Sequence, residues 1–297
     1  MWGTRKLVDT LTIQKYLRFY EIMGYPIPKN AELYFQYSST KTLTSSKSTL
    51  SVDDCNYSLT SSFSWNKKSK YMDEYLQEIN RLKSIFQSIP FVHQIFLCNS
   101  ISFNSLGDNS DIDLFIVANP WRIWTVKFRS MILFALKGSK RIWSRIRKKI
   151  CLSFFITSNN QNLYSISLPS IDVYLAYWIS HLVLIYQKEE KNNPEFFEQN
   201  WWVRWILPNY QWKQTISLWI DYFTWNTKFK NFMELLLNNI IGDVFEWCVK
   251  YAQKSVICFK RLVRPSLNKD VVISDSMLKF HQDVREKISL KYNVKVK

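Results

Sequence analysis

Phe96-Leu97-Cys98-Asn99-Ser100, followed eleven residues later by Asp111-Ile112-Asp113-Leu114-Phe115-Ile116-Val117, is the stretch on which the reading of this chain turns. Each half contains an apolar, β-branched or aromatic run of strand length, which predicts strands over Val92–Cys98 and Ile112–Ala118. The second run opens on two aspartates at i and i+2. Period-2 geometry points both carboxylates to one face, roughly 7 Å apart at the backbone. Asp113 is enclosed by Ile112, Leu114, Phe115, Ile116 and Val117, a strand apolar on both faces. A carboxylate there costs several kcal/mol unless a metal or hydrogen-bond donors meet it. Two carboxylates on one rigid edge suit Mg²⁺, or Mn²⁺, which combines one or two such ligands with substrate phosphate oxygens. The hydroxyl of Ser100 and the neighbouring backbone N–H groups are in sequence position to hold terminal phosphates.

Working outward, Tyr71–Ile89 carries apolar residues at steps of three and four, a helical stripe that Pro90 ends. Trp121–Leu136 reads as a second helix closed by Gly138, and Leu152–Thr157 as a third strand. Strand, loop, strand, helix, strand defines a small α/β layer. After Ile171 the pattern reads as helical. The near-apolar run Val173–Tyr186 is too short for a membrane span and reads as a buried helix. Asn193-Pro194 starts a helix over Glu195–Ile206. Lys228–Arg264 reads as one long amphipathic helix or a pair broken near Gly242, and a last helix is expected around Ser276–Ile288. Leu11–Tyr37 contains two short helical patterns, and Ser38–Lys70 has the Ser/Thr/Lys composition of a loop.

Composition narrows the function classes. With 47% hydrophobic and 16% aromatic residues, the 297-residue chain has ample core material, which excludes global disorder. The formal net charge of +16 favours an anionic partner. The charge concentrates in Asn119–Lys149, where Arg122, Lys127, Arg129, Lys137, Lys140, Arg141, Arg145, Arg147, Lys148 and Lys149 occur without an acid. Trp121, Trp124 and Trp143 interleave them. Segment 119–149 is therefore an expected surface for a nucleic acid or another anionic acceptor. Lipid headgroups are an alternative, as for an interfacial helix. Five cysteines without C-x-x-C and three isolated histidines make no zinc spacing. Buried free thiols, no secretory signal and no transmembrane span lead to an expected cytoplasmic location.

Asn99-Ser100 followed by Ser110-Asp111-Ile112-Asp113-Leu114 resembles the G-S…S-D-I-D-L motif of the polymerase-beta-like nucleotidyltransferase superfamily. Further passages resemble uncharacterised bacterial nucleotidyltransferase-domain proteins: Ile89-Pro90-Phe91-Val92, Lys149–Ile156, Asn200-Trp201-Trp202 with Leu207-Pro208-Asn209, and Leu278-Lys279-Phe280-His281. Leu17–Pro28 is similar to the winged-helix start of those proteins. The resemblance implies a nucleotidyltransferase-type mixed sheet over residues 71–165. It further implies a reduced winged-helix-like region over 1–70 and a helical C-terminal domain over 166–297. It also implies Mg²⁺-dependent transfer of a nucleotidyl group from an NTP, with Asp111 and Asp113 as catalytic metal ligands and Asn99, Ser100 and Ser110 at the nucleotide.

Two positions depart from that pattern. Asn99 stands where the family has glycine; asparagine is the next best residue for left-handed backbone. Active members usually carry a third carboxylate on a following strand, yet Leu114–Ile171 contains no Asp or Glu, and the matching strand offers Cys151 and Ser153. A catalytically inert nucleotide- or nucleic-acid-binding protein of the same fold is the resulting alternative, and a peripheral membrane protein using 119–149 is another. No motif names the acceptor.

Overall fold

A computed structural model describes residues 70–140, 146–168, 172–188, 195–206, 228–263 and 271–280. The expected winged-helix-like region 1–70 lies outside the described residues, apart from Lys70. The described residues form a mixed α/β structure with seven α-helices and a six-stranded open sheet. In chain order the elements are α1 (Met72–Phe86), β1 (Val92–Cys98), β2 (Ile112–Ala118), α2 (Ile123–Leu136) and β3 (Ile150–Thr157). They continue with α3 (Val173–Ser180), β4 (Val183–Gln187), α4 (Glu195–Gln199), α5 (Val203–Ile206), α6 (Lys228–Leu237), α7 (Ile240–Val263), β5 (Val272–Ile273) and β6 (Met277–Lys279).

The sheet order is β4-β1-β2-β3-β6-β5. Only β2 and β3 run parallel, as a strand–helix–strand crossover through α2 requires. Every other neighbouring pair is antiparallel. Strand side chains alternate between two cores. Leu97, Ile112, Leu114, Ile116 and Phe155 pack with Tyr75, Ile79, Trp124, Phe134, Met233 and Val249, so α1, α2, α6 and α7 cover one face. Phe96, Cys98, Phe115, Val117, Phe154 and Ile156 pack with Trp178, Ile179, Phe196 and Val203, so α3, α4 and α5 cover the other. Strands apolar on both sides are what a sheet buried between two helical layers demands.

Three segments differ from the sequence reading. Val173–Tyr186 is not one helix: α3 stops at Ser180, the N–H of His181 donates to the carbonyls of Tyr177 and Trp178, and the chain returns as β4 beside β1. Met277–Lys279, expected within a helix, is the strand β6 because it pairs with β3. Both strands come from beyond residue 166, so the sheet takes material from the region expected to be purely helical. Glu195–Ile206 is two short helices rather than one.

The helix does break near Gly242, between Leu237 and Ile240, and glycine permits the close approach that follows. The second helix starts so close to the end of the first that a Cβ on Gly242 would lie 1.7 Å from the Leu237 carbonyl oxygen. The side chain of Asn239 then accepts from the N–H groups of Ile241 and Gly242 and caps α7.

Candidate metal centre

The site is assembled at the end of the sheet where β1 finishes and β2 begins. Cys98, the last residue of β1, pairs with Asp113 across the antiparallel ladder. On the other side Asp113 pairs with Cys151 across the parallel one. Asp113 shares its strand face with Phe115 and Val117 and therefore looks toward the α3–α5 layer. Asp111 lies just ahead of the strand. One ligand atom from each of Asp111, Asp113 and Cys151 lies within 4.8 Å of the other two. Asp113 is only 5% exposed and Cys151 9%, while Asp111 is half-buried at the rim.

The loop that joins the two strands is held from several directions. Asn99 adopts φ 58°, the left-handed region that asparagine tolerates better than most residues, and its Oδ1 accepts from Nε1 of Trp178 at 2.9 Å. The carbonyl of Asn99 accepts from the N–H of Phe103, and that of Ser100 from the N–H of Ser105, so one helical turn follows β1. Ile101 and Phe103 are fully buried and nail this turn to the two opposite cores. Ser100 thus sits at the sheet end that carries Asp113, half-buried. Ser110 is used in the loop itself: its Oγ accepts from the N–H of Gly107, and its carbonyl accepts from the hydroxyl of Tyr75 at 2.6 Å. The N–H of Lys148 donates to the same carbonyl, which ties the approach to β3 against the approach to β2.

Electrostatically the pocket disfavours further negative charge. Burial pushes both the Cys98 and Cys151 thiols up, and the Asp113 carboxylate adds to the effect in each case. Cys151 is therefore a thiol in the metal-free protein and hydrogen-bonds Asp113. A divalent cation fits this donor set: Asp113 and Cys151 converge from paired strands fixed by the ladder, and Asp111 joins them from the residue just before β2.

In the basic segment 119–149, several cations have partners within the fold. Among its described residues, Arg122 is 7% exposed, donates to the Leu237 carbonyl at the end of α6, and pairs with Asp243 at 2.7 Å. Lys127 is 8% exposed and donates to Gln253 Oε1. Burial, reinforced by Lys260 and Lys140, lowers its pKa to about 8. Trp124 is core, on the sheet face opposite Asp113. Arg147 and Lys148 both pair with Glu74, at 2.9 and 2.6 Å. Arg122 and Lys127 are thus held by α6 and α7, and Arg147 and Lys148 pair with Glu74 of α1 at the surface. Arg141, Trp143 and Arg145 lie outside the described residues.

Sequence reasoning missed Tyr75 and Trp178 as supports of the motif, because both come from helices whose packing is non-local. It noticed Cys151 as a replacement for an acid, but not that β2–β3 pairing brings its sulfur to both carboxylates. Comparison of the chain with models of known families, with curated proteins and with solved structures returns no match. No helix among the described residues is long and apolar enough to cross a membrane.

Proposed function

We propose that the chain binds a divalent metal and a nucleoside triphosphate at Asp111 and Asp113 and transfers a nucleotidyl group to an acceptor. The observation that carries this reading is the convergence of the two carboxylates with Cys151 at the mouth of a buried mixed sheet. The nucleotidyltransferase type of sheet, suggested by the motif, is part of the same proposal. Supporting it are the strand–turn–strand frame and the left-handed Asn99 in the glycine position of the motif.

In this reading Asp111 and Asp113 hold the metal, Mg²⁺ or Mn²⁺. Bound there, the ion would neutralise charge on the phosphates and on the departing pyrophosphate. Asn99 and Ser100, on the turn after β1, orient the phosphates, and Ser110 keeps the loop in register behind them. Reaction requires an acceptor hydroxyl to attack the α-phosphorus as the bond to pyrophosphate breaks, with the hydroxyl proton leaving to a base.

A specific observation favours a second reading, nucleotide binding without turnover. The position beside Asp113 on β3 is Cys151, a protonated thiol in the metal-free protein, and Leu114–Ile171 contains no carboxylate. Loss of a positioned base costs on the order of 10²- to 10⁴-fold in rate. Purified protein incubated with each labelled NTP and with Mg²⁺ or Mn²⁺ separates the two. Pyrophosphate release with a nucleotidylated product supports transfer, and tight metal-dependent binding without product supports the inert form. Absence of metal-dependent nucleotide binding overturns both.

A further inference from the structure

The reading above takes Mg²⁺ or Mn²⁺ from the two carboxylates alone, and the third converging group bears on that choice. Cys151 faces Asp113 directly in the parallel β2–β3 register, and its Sγ falls within the same 4.8 Å cluster as the two carboxylates. Donor atoms about 2 to 2.3 Å from a common tetrahedral metal lie roughly 3.3 to 3.8 Å apart, so the cluster would draw in by on the order of 1 Å on binding. Two of the three donors lie on paired central strands, so their separation is set by backbone hydrogen bonds rather than by a loose loop. Ser153, two residues on at the β-bulge between the Leu114 and Phe115 pairings, lies beside Cys151 and interacts with its sulfur. Cys151 is the β3 side chain whose ligand atom falls in the cluster with the aspartates.

We infer that Cys151 is the third protein ligand, giving a two-carboxylate, one-thiolate centre that selects a borderline transition-metal ion such as Zn²⁺ or Co²⁺ over Mg²⁺. This rests on the proposal that Asp111 and Asp113 bind metal. The chemistry follows from ligand softness. Mg²⁺ demands oxygen donors in near-ideal octahedral geometry and gains nothing from sulfur. Zn²⁺ and Co²⁺ accept carboxylate and thiolate together, and sit above Mn²⁺ in affinity for mixed sites. On binding, the metal–sulfur bond forms as the thiol proton leaves to solvent, so the exchange is one proton released and no electron transferred. Nucleotide oxygens would complete the coordination sphere.

The test uses the full chain with Cys55, Cys248 and Cys258 changed to Ser, which removes the other thiols except Cys98. After chelator treatment the protein is titrated anaerobically with Co²⁺, and separately with Mg²⁺. The expected result is a near-ultraviolet thiolate-to-cobalt charge-transfer band that saturates at one equivalent. In this background Cys151→Ser should lose that band and weaken Co²⁺ binding at least about tenfold, while Mg²⁺ binding changes little. Cys151→Asp should also lose the band but bind Mg²⁺ more tightly, and circular dichroism checks that each variant folds. Saturable Co²⁺ binding without the band overturns the inference, as does a band that survives in Cys151→Ser or disappears only in Cys98→Ser. If Asp113→Ala still abolishes Mg²⁺ or Co²⁺ binding in those cases, the two-carboxylate reading stands. If no divalent ion binds in any arm, both fall.

Discussion

Asp113 and Cys151 face each other across the parallel β2–β3 pair, both buried, with the thiol hydrogen-bonded to the carboxylate. Asp113 lies between two cysteine partners, Cys98 and Cys151, and shares its strand face with Phe115 and Val117. A carboxylate in that setting, beside a second one at Asp111, is unfavourable for the metal-free fold.

Asp113→Asn should therefore leave the chelator-treated protein as stable as the wild type or more so, because it removes a buried charge next to Asp111. Chemical denaturation followed by circular dichroism, with chelator present, checks this. A loss of more than about 2 kcal/mol would mean that the carboxylate is a structural acceptor rather than a ligand in waiting.

Gly242→Ala should be costly although alanine is the better helix former. The new Cβ would collide with the backbone oxygen of Leu237, which cannot swing aside as a side chain can. Separation of α6 and α7 would disturb Arg122, which bridges the Leu237 carbonyl and Asp243. The expected loss is about 2 kcal/mol or more, read by thermal or urea unfolding. A neutral or stabilising result would show that the helix pair has room to open.

Lys230 supplies a pH signature. It is fully buried, donates to the carbonyl of Val92 and the hydroxyl of Tyr186, and burial lowers its pKa to about 7 despite the opposing pull of Glu234. The unfolded chain, with the ordinary value of 10.5, then binds more protons than the folded one between those limits. Stability from this group rises with pH across about 7 to 10.5 and is flat below. Lys230→Met abolishes the effect, so the stability of the variant minus that of the wild type should become more negative as pH rises through this window. A difference that is constant or becomes more positive would contradict the assignment.

What was legible in the sequence follows from how local each signal is. The limits of β1 and β2 could be read because short, two-sided apolar runs flanked by Pro90, Asn99 and Ser110 leave few alternatives. The acidic pair was legible for the same reason, since an aspartate inside such a run is conspicuous. The run Val173–Tyr186 was not divisible by periodicity, because a buried helix and a buried strand are apolar on all sides alike. Its break at His181 depends on the ring's Nδ1 contact with the Tyr177 carbonyl and on pairing of the following residues with β1. Strand β6 is defined by pairing with β3, residues more than a hundred positions away, and carries almost no local signal. In the basic segment, charge counts do not tell which cations the fold already holds. Arg122 and Lys127 answer to α6 and α7, whose approach is a property of the fold.

The most direct test of the central claim is calorimetric titration of the purified chain with NTPs, with and without divalent metal, in wild type and Asp113→Ala. The account predicts nucleotide binding by the wild type that requires the metal, and its loss in a variant that remains folded by circular dichroism. Equal nucleotide affinity in the two proteins, or affinity indifferent to chelator, would contradict it.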